Sequence, residues 1–231
     1  MKVTLAIPLF LATAALAAPV TEPALDPIDI EAIADLETRQ FSSGTTSNEF
    51  TSGGCRDVIF FFARGSTEAG NMGTVIGPPL AGNLKSTLGA SSVAVQGIDY
   101  PAAISTNLLP GGADRNGIAT MKSLLEQAAS QCPNSKLVAG GYSQGAALTH
   151  RAIENLSDAV KAKIVGVVTF GDTQNLQDRG QIPNFPKDKV KIFCAAGDLV
   201  CSGSLTITAA HLSYTRNAGE AADFLVGKIR G

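Results

Sequence analysis

Five short apolar runs recur along the chain: 57–65 (DVIFFFARG), 92–100 (SVAVQGIDY), 136–142 (KLVAGGY), 163–171 (KIVGVVTFG) and 189–197 (KVKIFCAAG). Each is rich in Val, Ile or Phe, and most close on glycine or a turn, so each reads as a strand. Between them, apolar residues fall at helical spacing in 116–130, 143–156 and 73–88, the last interrupted by Pro78 and Pro79. A final helix is predicted over 218–230, where Asn217 followed by Glu220 makes a capping-box-like start. Nearly continuous apolar strands alternating with helices imply a parallel sheet covered on both faces, an α/β class.

The N-terminal residues break this pattern. Residues 1–17 hold one lysine, a short apolar stretch and then A-L-A, which reads as a secretory signal peptide; the stretch is too short and too early for a membrane span. Residues 18–39 carry six acidic residues against Arg39 alone and read as a propeptide. The net charge of -2 therefore belongs mostly to this leader; beyond Arg39 the chain is slightly basic. It has no Lys/Arg cluster, so nucleic acid is not an expected partner. Residues 40–54, rich in Ser, Thr and Gly, read as a flexible lead-in, and 55–231 as a single domain.

All four cysteines, Cys55, Cys132, Cys194 and Cys201, lie in that domain, and a secreted chain makes disulfides the expectation. Three connectivities are open. The short span from Cys194 to Cys201 favours closing that loop and leaves Cys55 for Cys132. These last two precede the first and third strands, and parallel neighbours start at one edge, so they meet if those strands are adjacent. Metal binding is the weaker alternative, since no cysteine pair has ligand spacing and there are two histidines.

Gly141-Tyr142-Ser143-Gln144-Gly145 sits at a predicted strand-to-helix junction. A sharp turn there strains the serine backbone and exposes its hydroxyl, which tolerates only small residues two positions either side; the competing reading is a plain glycine-rich turn. A serine nucleophile needs a base. His150 lies seven residues along the same helix, about 10 Å away and leading off from the elbow, so it reads as structural or surface. His211, in the loop before the final helix, is free to fold back over the strand ends and is the expected base. Asp172 and Asp198 both follow strands at the correct edge. Asp198, inside the Cys194/Cys201 loop and nearer His211, is the expected acid, although GDLV also suits an ordinary turn. The order Ser, Asp, His is that of α/β-hydrolases. Oxyanion donors are expected from the Gln144 backbone N–H and from Ser66 in the 63–68 loop, which otherwise reads as a surface turn.

Together, CRDVIFFFARGSTE, KLVAGGYSQGAALTH, TFGDTQNLQDRGQIPNF and CAAGDLVCSGSLTITAAHLSY resemble the fungal cutinases over nearly all of 55–230. The resemblance implies a three-layer sandwich with a five-stranded, mainly parallel sheet and no substantial lid. It implies the pairs Cys55–Cys132 and Cys194–Cys201. It places nucleophile, acid and base on Ser143, Asp198 and His211, the oxyanion hole on Ser66 and Gln144, and oxyanion support on Asn107. The apolar substrate rim falls on Leu108, Leu109, Leu205, Ile207 and Leu212; such residues otherwise read as packing. Ala210 stands where relatives often have proline, and Asp172 where tyrosine is frequent.

The expectation is a secreted, monomeric ester hydrolase with no metal or organic cofactor; the resemblance implies cutin as its substrate, with short-to-medium acyl esters and synthetic polyesters as further ones. Alternatives are an acetylxylan esterase of the same fold and a non-catalytic binding module. Asn155-Leu156-Ser157 is a glycosylation sequon near a helix end.

Overall fold

The computed structural model describes residues 44–231. The predicted signal peptide, the propeptide and the first residues of the lead-in lie outside them.

Five parallel strands, β1 (Val58–Ala63), β2 (Val93–Gly97), β3 (Lys136–Tyr142), β4 (Ile164–Phe170) and β5 (Val190–Phe193), form one sheet in the order β2-β1-β3-β4-β5. β1 shows why the sequence reads as it does. Ile59, Phe61 and Ala63 enter one apolar cluster and Val58, Phe60 and Phe62 the other, so all six side chains are buried on alternating faces. Helices cover both faces. α1 (Glu49–Gly53), α3 (Arg115–Gln131), α4 (Gln144–Glu154) and α5 (Asp158–Lys163) accompany the first cluster, and α2 (Gly77–Leu88) and α6 (Ala218–Arg230) the second.

Three local expectations change. Residues 44–54 are not a loose lead-in. Phe50 is buried edge-on to Phe61, Ser47 Oγ donates to Val95 O, Glu49 accepts from Val95 N, and Asn48 bridges Gln96. The segment thus caps β2, the edge strand, whose unpaired backbone groups need partners. Pro78 and Pro79 do not interrupt α2 but begin it, where a missing N–H costs nothing and a fixed φ suits the first turn. Asn217 makes no side-chain cap, because α6 continues directly from a 3₁₀ turn over Tyr214–Asn217.

Both disulfides form as expected. Cys55–Cys132 ties the approaches to the adjacent strands β1 and β3, and Cys194–Cys201 closes the loop that leaves β5. Every strand therefore delivers its following loop to the same edge, where α/β sheets hold their ligand sites.

Candidate active site

Ser143 stands between β3 and α4 with φ +55 and ψ -121, a conformation that L-residues adopt only when their surroundings impose it. The flanking glycines are steric requirements. A Cβ on Gly141 would lie 2.1 Å from Gly145 O, and one on Gly145 would lie 2.0 Å from Ala63 O. The strained turn is held by Ser143 N donating to Phe170 O. It is thus a nucleophile elbow in geometry, not a loose turn.

His211 Nε2 lies 3.0 Å from Ser143 Oγ, and His211 Nδ1 lies 2.9 Å from Asp198 Oδ2. Ser143, His211 and Asp198 are all buried, with little but the cleft side of the series accessible. Asp198 also accepts from Val200 N and from the phenol of Tyr214. Two aromatic contacts hold the imidazole, Tyr142 stacking on it at 5.1 Å and Tyr214 meeting it edge-on, and Tyr142 Oη donates to the His211 backbone O. Burial, and then Asp198, push the Tyr214 phenol up, and burial does the same for Tyr142, so both stay protonated donors.

Asn107 Nδ2 donates to Ser66 Oγ at 3.0 Å and Gln144 Nε2 donates to it at 3.1 Å. A hydroxyl oxygen that accepts twice has its one hydrogen left to donate. The loop carrying Ser66 is internally tied. Glu68 Oε2 accepts from Gly65 N, its Oε1 accepts from Thr74 N and Val75 N, and Arg64 grips Glu68 O and Tyr100 O.

A cleft of about 440 Å3 opens over Ser143, with Val75, Ile104, Val200, Leu205, Ile207 and Leu212 supplying its apolar wall. Of the five rim positions implied by the resemblance, Leu205, Ile207 and Leu212 line this cleft. Leu108 and Leu109 are exposed but do not line the cleft; Ile104, three residues before Asn107 on the same 3₁₀ turn, does. Ile104, Glu68, Tyr142 and Tyr214 are missed by the sequence reading. A hint for Ile104 was its spacing from Asn107; nothing local marks the others.

His150 is neither exposed nor near Ser143 Oγ. It is fully buried between Asp172 and Asp178, which also explains Asp172 as the partner of a buried cation. Among the described residues no cluster of His, Cys, Asp and Glu is arranged to hold a metal ion, and no helix is long and apolar enough to cross a membrane.

A hydroxyl, an imidazole and a buried carboxylate in series, at the strand ends of a parallel sheet covered on both faces, characterise the serine hydrolases of the α/β-hydrolase class, and this fold and site fall within it. The narrower assignment comes from comparison. The cutinase profile matches residues 54–229, and the chain belongs to the cutinase family, whose members are serine esterases. It is 54% identical to a probable cutinase of Aspergillus niger over 85% of this chain and 76% of that protein. It is 55% identical to a cutinase of Pyricularia oryzae over 84% of this chain and 90% of that one. The solved Trichoderma reesei cutinase, in complex with a phosphonate inhibitor, superposes with a TM-score of 0.72 at 35% identity, covering 87% of each chain. An acetylxylan esterase superposes at 0.61 with 22% identity, over 76% of this chain and 99% of that one, which shows a shared fold.

Proposed function

We propose that this cutinase is secreted and hydrolyses the ester bonds of cutin and of short-to-medium acyl esters through an acyl-enzyme. The observation that carries this reading is the unbroken series from Ser143 Oγ through His211 to Asp198, opening into an apolar-walled cleft. His211 Nε2 takes the hydroxyl proton as Ser143 Oγ attacks the ester carbonyl, and Asp198 stabilises the imidazolium that results. The Ser66 hydroxyl and the Gln144 backbone N–H receive the oxyanion, with Asn107 and the Gln144 amide holding Ser66 in place. Collapse of the tetrahedral intermediate passes the proton from His211 to the leaving alcohol. Water, deprotonated in turn by His211, then releases the acid.

The apolar wall suits acyl chains longer than acetate, because each methylene moved out of water onto it contributes about 0.8 kcal/mol. Secretion is supported by the signal-like residues 1–17 and by two disulfides, which persist in oxidising compartments.

The test is an acyl panel of acetyl, butyryl and palmitoyl esters beside cutin and acetylated xylan, run with wild type and Ser143→Ala. Butyryl ester and cutin turnover, abolished in Ser143→Ala, is the expected outcome. Preference for acetylated xylan would make the chain an acetylxylan esterase in substrate. Turnover surviving in Ser143→Ala would remove the nucleophile assignment.

A further inference from the structure

One buried histidine takes no part in the chemistry above. His150 lies on α4 two turns beyond Ser143, its side chain fully buried. Its Nε2 stands 2.8 Å from Asp172 Oδ2 and its Nδ1 stands 2.7 Å from Asp178 Oδ2. A neutral imidazole has one N–H and would turn a lone pair on the second carboxylate; with both nitrogens facing carboxylates, the ring is an imidazolium.

Both carboxylates have further partners of their own. Asp172 accepts from Thr169 Oγ1 and Gln174 N, and Asp178 pairs with Arg151, which also pairs with Glu154. Burial pulls the ring's pKa down, but Asp172 and Asp178 outweigh it and carry the value to about 9. These are the charged groups around the ring: Asp172 and Asp178 from the β4–β5 connection, and Arg151 and Glu154 from α4 itself. Among the described residues, α3, β1, β3 and β4, also packed on α4, add none.

Asp172 stands between two residues that touch the hydrolytic site. Gly171, at φ +51, lies beneath the base, where a Cβ would come within 2.6 Å of His211 Cε1. Thr173 lines the cleft, with Oγ1 3.5 Å from Ser143 O. Two residues on, Asn175 Nδ2 donates to Cys201 O, in the disulfide loop that carries Asp198. One connection, 171–175, thus touches His211, Ser143 and the loop that carries Asp198, and Asp172 ties it to α4.

We propose that His150, as an imidazolium clamped between Asp172 and Asp178, is a positioning residue for ester hydrolysis: it holds the Gly171–Thr173 turn against His211 and Ser143, and turnover falls when the clamp loses its proton. The proposal rests on the Ser143–His211–Asp198 reading. The two fail differently: an active Ser143→Ala protein removes both, whereas an unchanged His150→Gln protein beside an inactive Ser143→Ala protein removes this one alone.

The experiment measures kcat and KM on p-nitrophenyl butyrate from about pH 6 to about pH 10, normalised to active sites titrated with a phosphonate. In parallel, NMR of histidine-labelled wild type follows the two imidazoles, the chain having two histidines. In wild type, kcat is expected to fall reversibly on the alkaline side with the midpoint at which the His150 ring titrates. In His150→Gln, whose amide can donate to one carboxylate, kcat per titrated site is expected to drop about 10- to 100-fold at neutral pH, with KM changed less than about twofold and the alkaline limb gone. A folded His150→Gln protein with wild-type kcat per site and an unchanged alkaline limb would overturn the proposal. So would wild-type kcat that stays level while the His150 ring loses its proton, a result that needs no variant.

Discussion

Tyr214 donates its phenolic hydrogen to Asp198 Oδ2 across 2.5 Å, on the same carboxylate oxygen that faces His211 Nδ1. Tyr214 is fully buried, and its oxygen also accepts from Ala195 N, so the phenol is fixed at both its donor and acceptor sides. In the proposed mechanism this bond sets the orientation of the acid. Tyr214→Phe keeps the ring packing and removes the donor. Hydrogen bonds to charged groups contribute about 1.5–3 kcal/mol, so kcat should fall about tenfold or more with KM little changed. An unchanged kcat in a folded Tyr214→Phe protein would remove Tyr214 from the series.

Ser66 Oγ accepts from two amides, and this redundancy makes an unequal pattern of losses. Ser66→Ala removes the proposed side-chain oxyanion donor outright and should lower kcat by about 10²–10³. Asn107→Ala leaves Gln144 Nε2 still on Ser66 and should cost distinctly less. In the Ser66→Ala background, Asn107→Ala should then do nothing further to kcat, since its amide has no hydroxyl left to orient. Steady-state kinetics of the two single variants and the double variant measure this. Full additivity would mean that Asn107 acts on the substrate directly.

The two disulfides divide stability from catalysis. Cys55–Cys132 spans 77 residues and Cys194–Cys201 spans 7, so the chain-entropy difference favours the former, at about 4 against about 2 kcal/mol. Replacing Cys55 and Cys132 by serine should lower the denaturation midpoint more, with kcat per folded molecule retained. Replacing Cys194 and Cys201 should lower kcat more, because that loop carries Asp198 and receives the Asn175 amide. Denaturation curves beside active-site-normalised kcat check both halves, and the reverse ranking in either would overturn the division.

Much of this was legible because it was local. The strand runs of β1 to β4 bury both faces and so carry a nearly unbroken apolar signal, which fades in the half-buried β5, and Gly141 and Gly145 mark the elbow by the space they leave. The Ser-Asp-His order needed only the rule that parallel strands deliver their loops to one edge. Elsewhere the signal was hidden. Residues 44–54 are anchored by Phe50 and Glu49 within a stretch otherwise composed like a linker. Ile104, and not Leu108 or Leu109, lines the cleft beside Asn107, because a 3₁₀ turn sets residues three apart on one face. His150 meets Asp172 and Asp178 across 22 and 28 residues of chain, a pairing that exists only once β4 is laid beside β3.

That buried pairing gives the fold a pH dependence whose sign follows from the ring's raised pKa. His150 titrates at 6.5 when unperturbed and at about 9 in the folded protein. A raised folded value means the folded state binds the proton more tightly, so the stabilisation is fully present below pH 6.5 and is lost as pH rises through about 9. At about 1.4 kcal/mol for each unit of pKa difference, the contribution is on the order of 3 kcal/mol. Asp172, which burial alone would push up but His150 holds below the ordinary carboxylate range, acts in the other direction; its share is lost as pH falls below that range. Chemical denaturation of wild type at about pH 6, 8 and 10 should therefore show unfolding free energy falling on the alkaline side by a few kcal/mol. In His150→Gln the protein should be weaker at the lowest of these pH values and lose much less on the alkaline side, because the clamp has no proton to lose; what loss remains comes from buried phenols such as Tyr142 and Tyr214, which ionise first in the unfolded chain. Equal alkaline slopes in the two proteins would place the titrating group elsewhere.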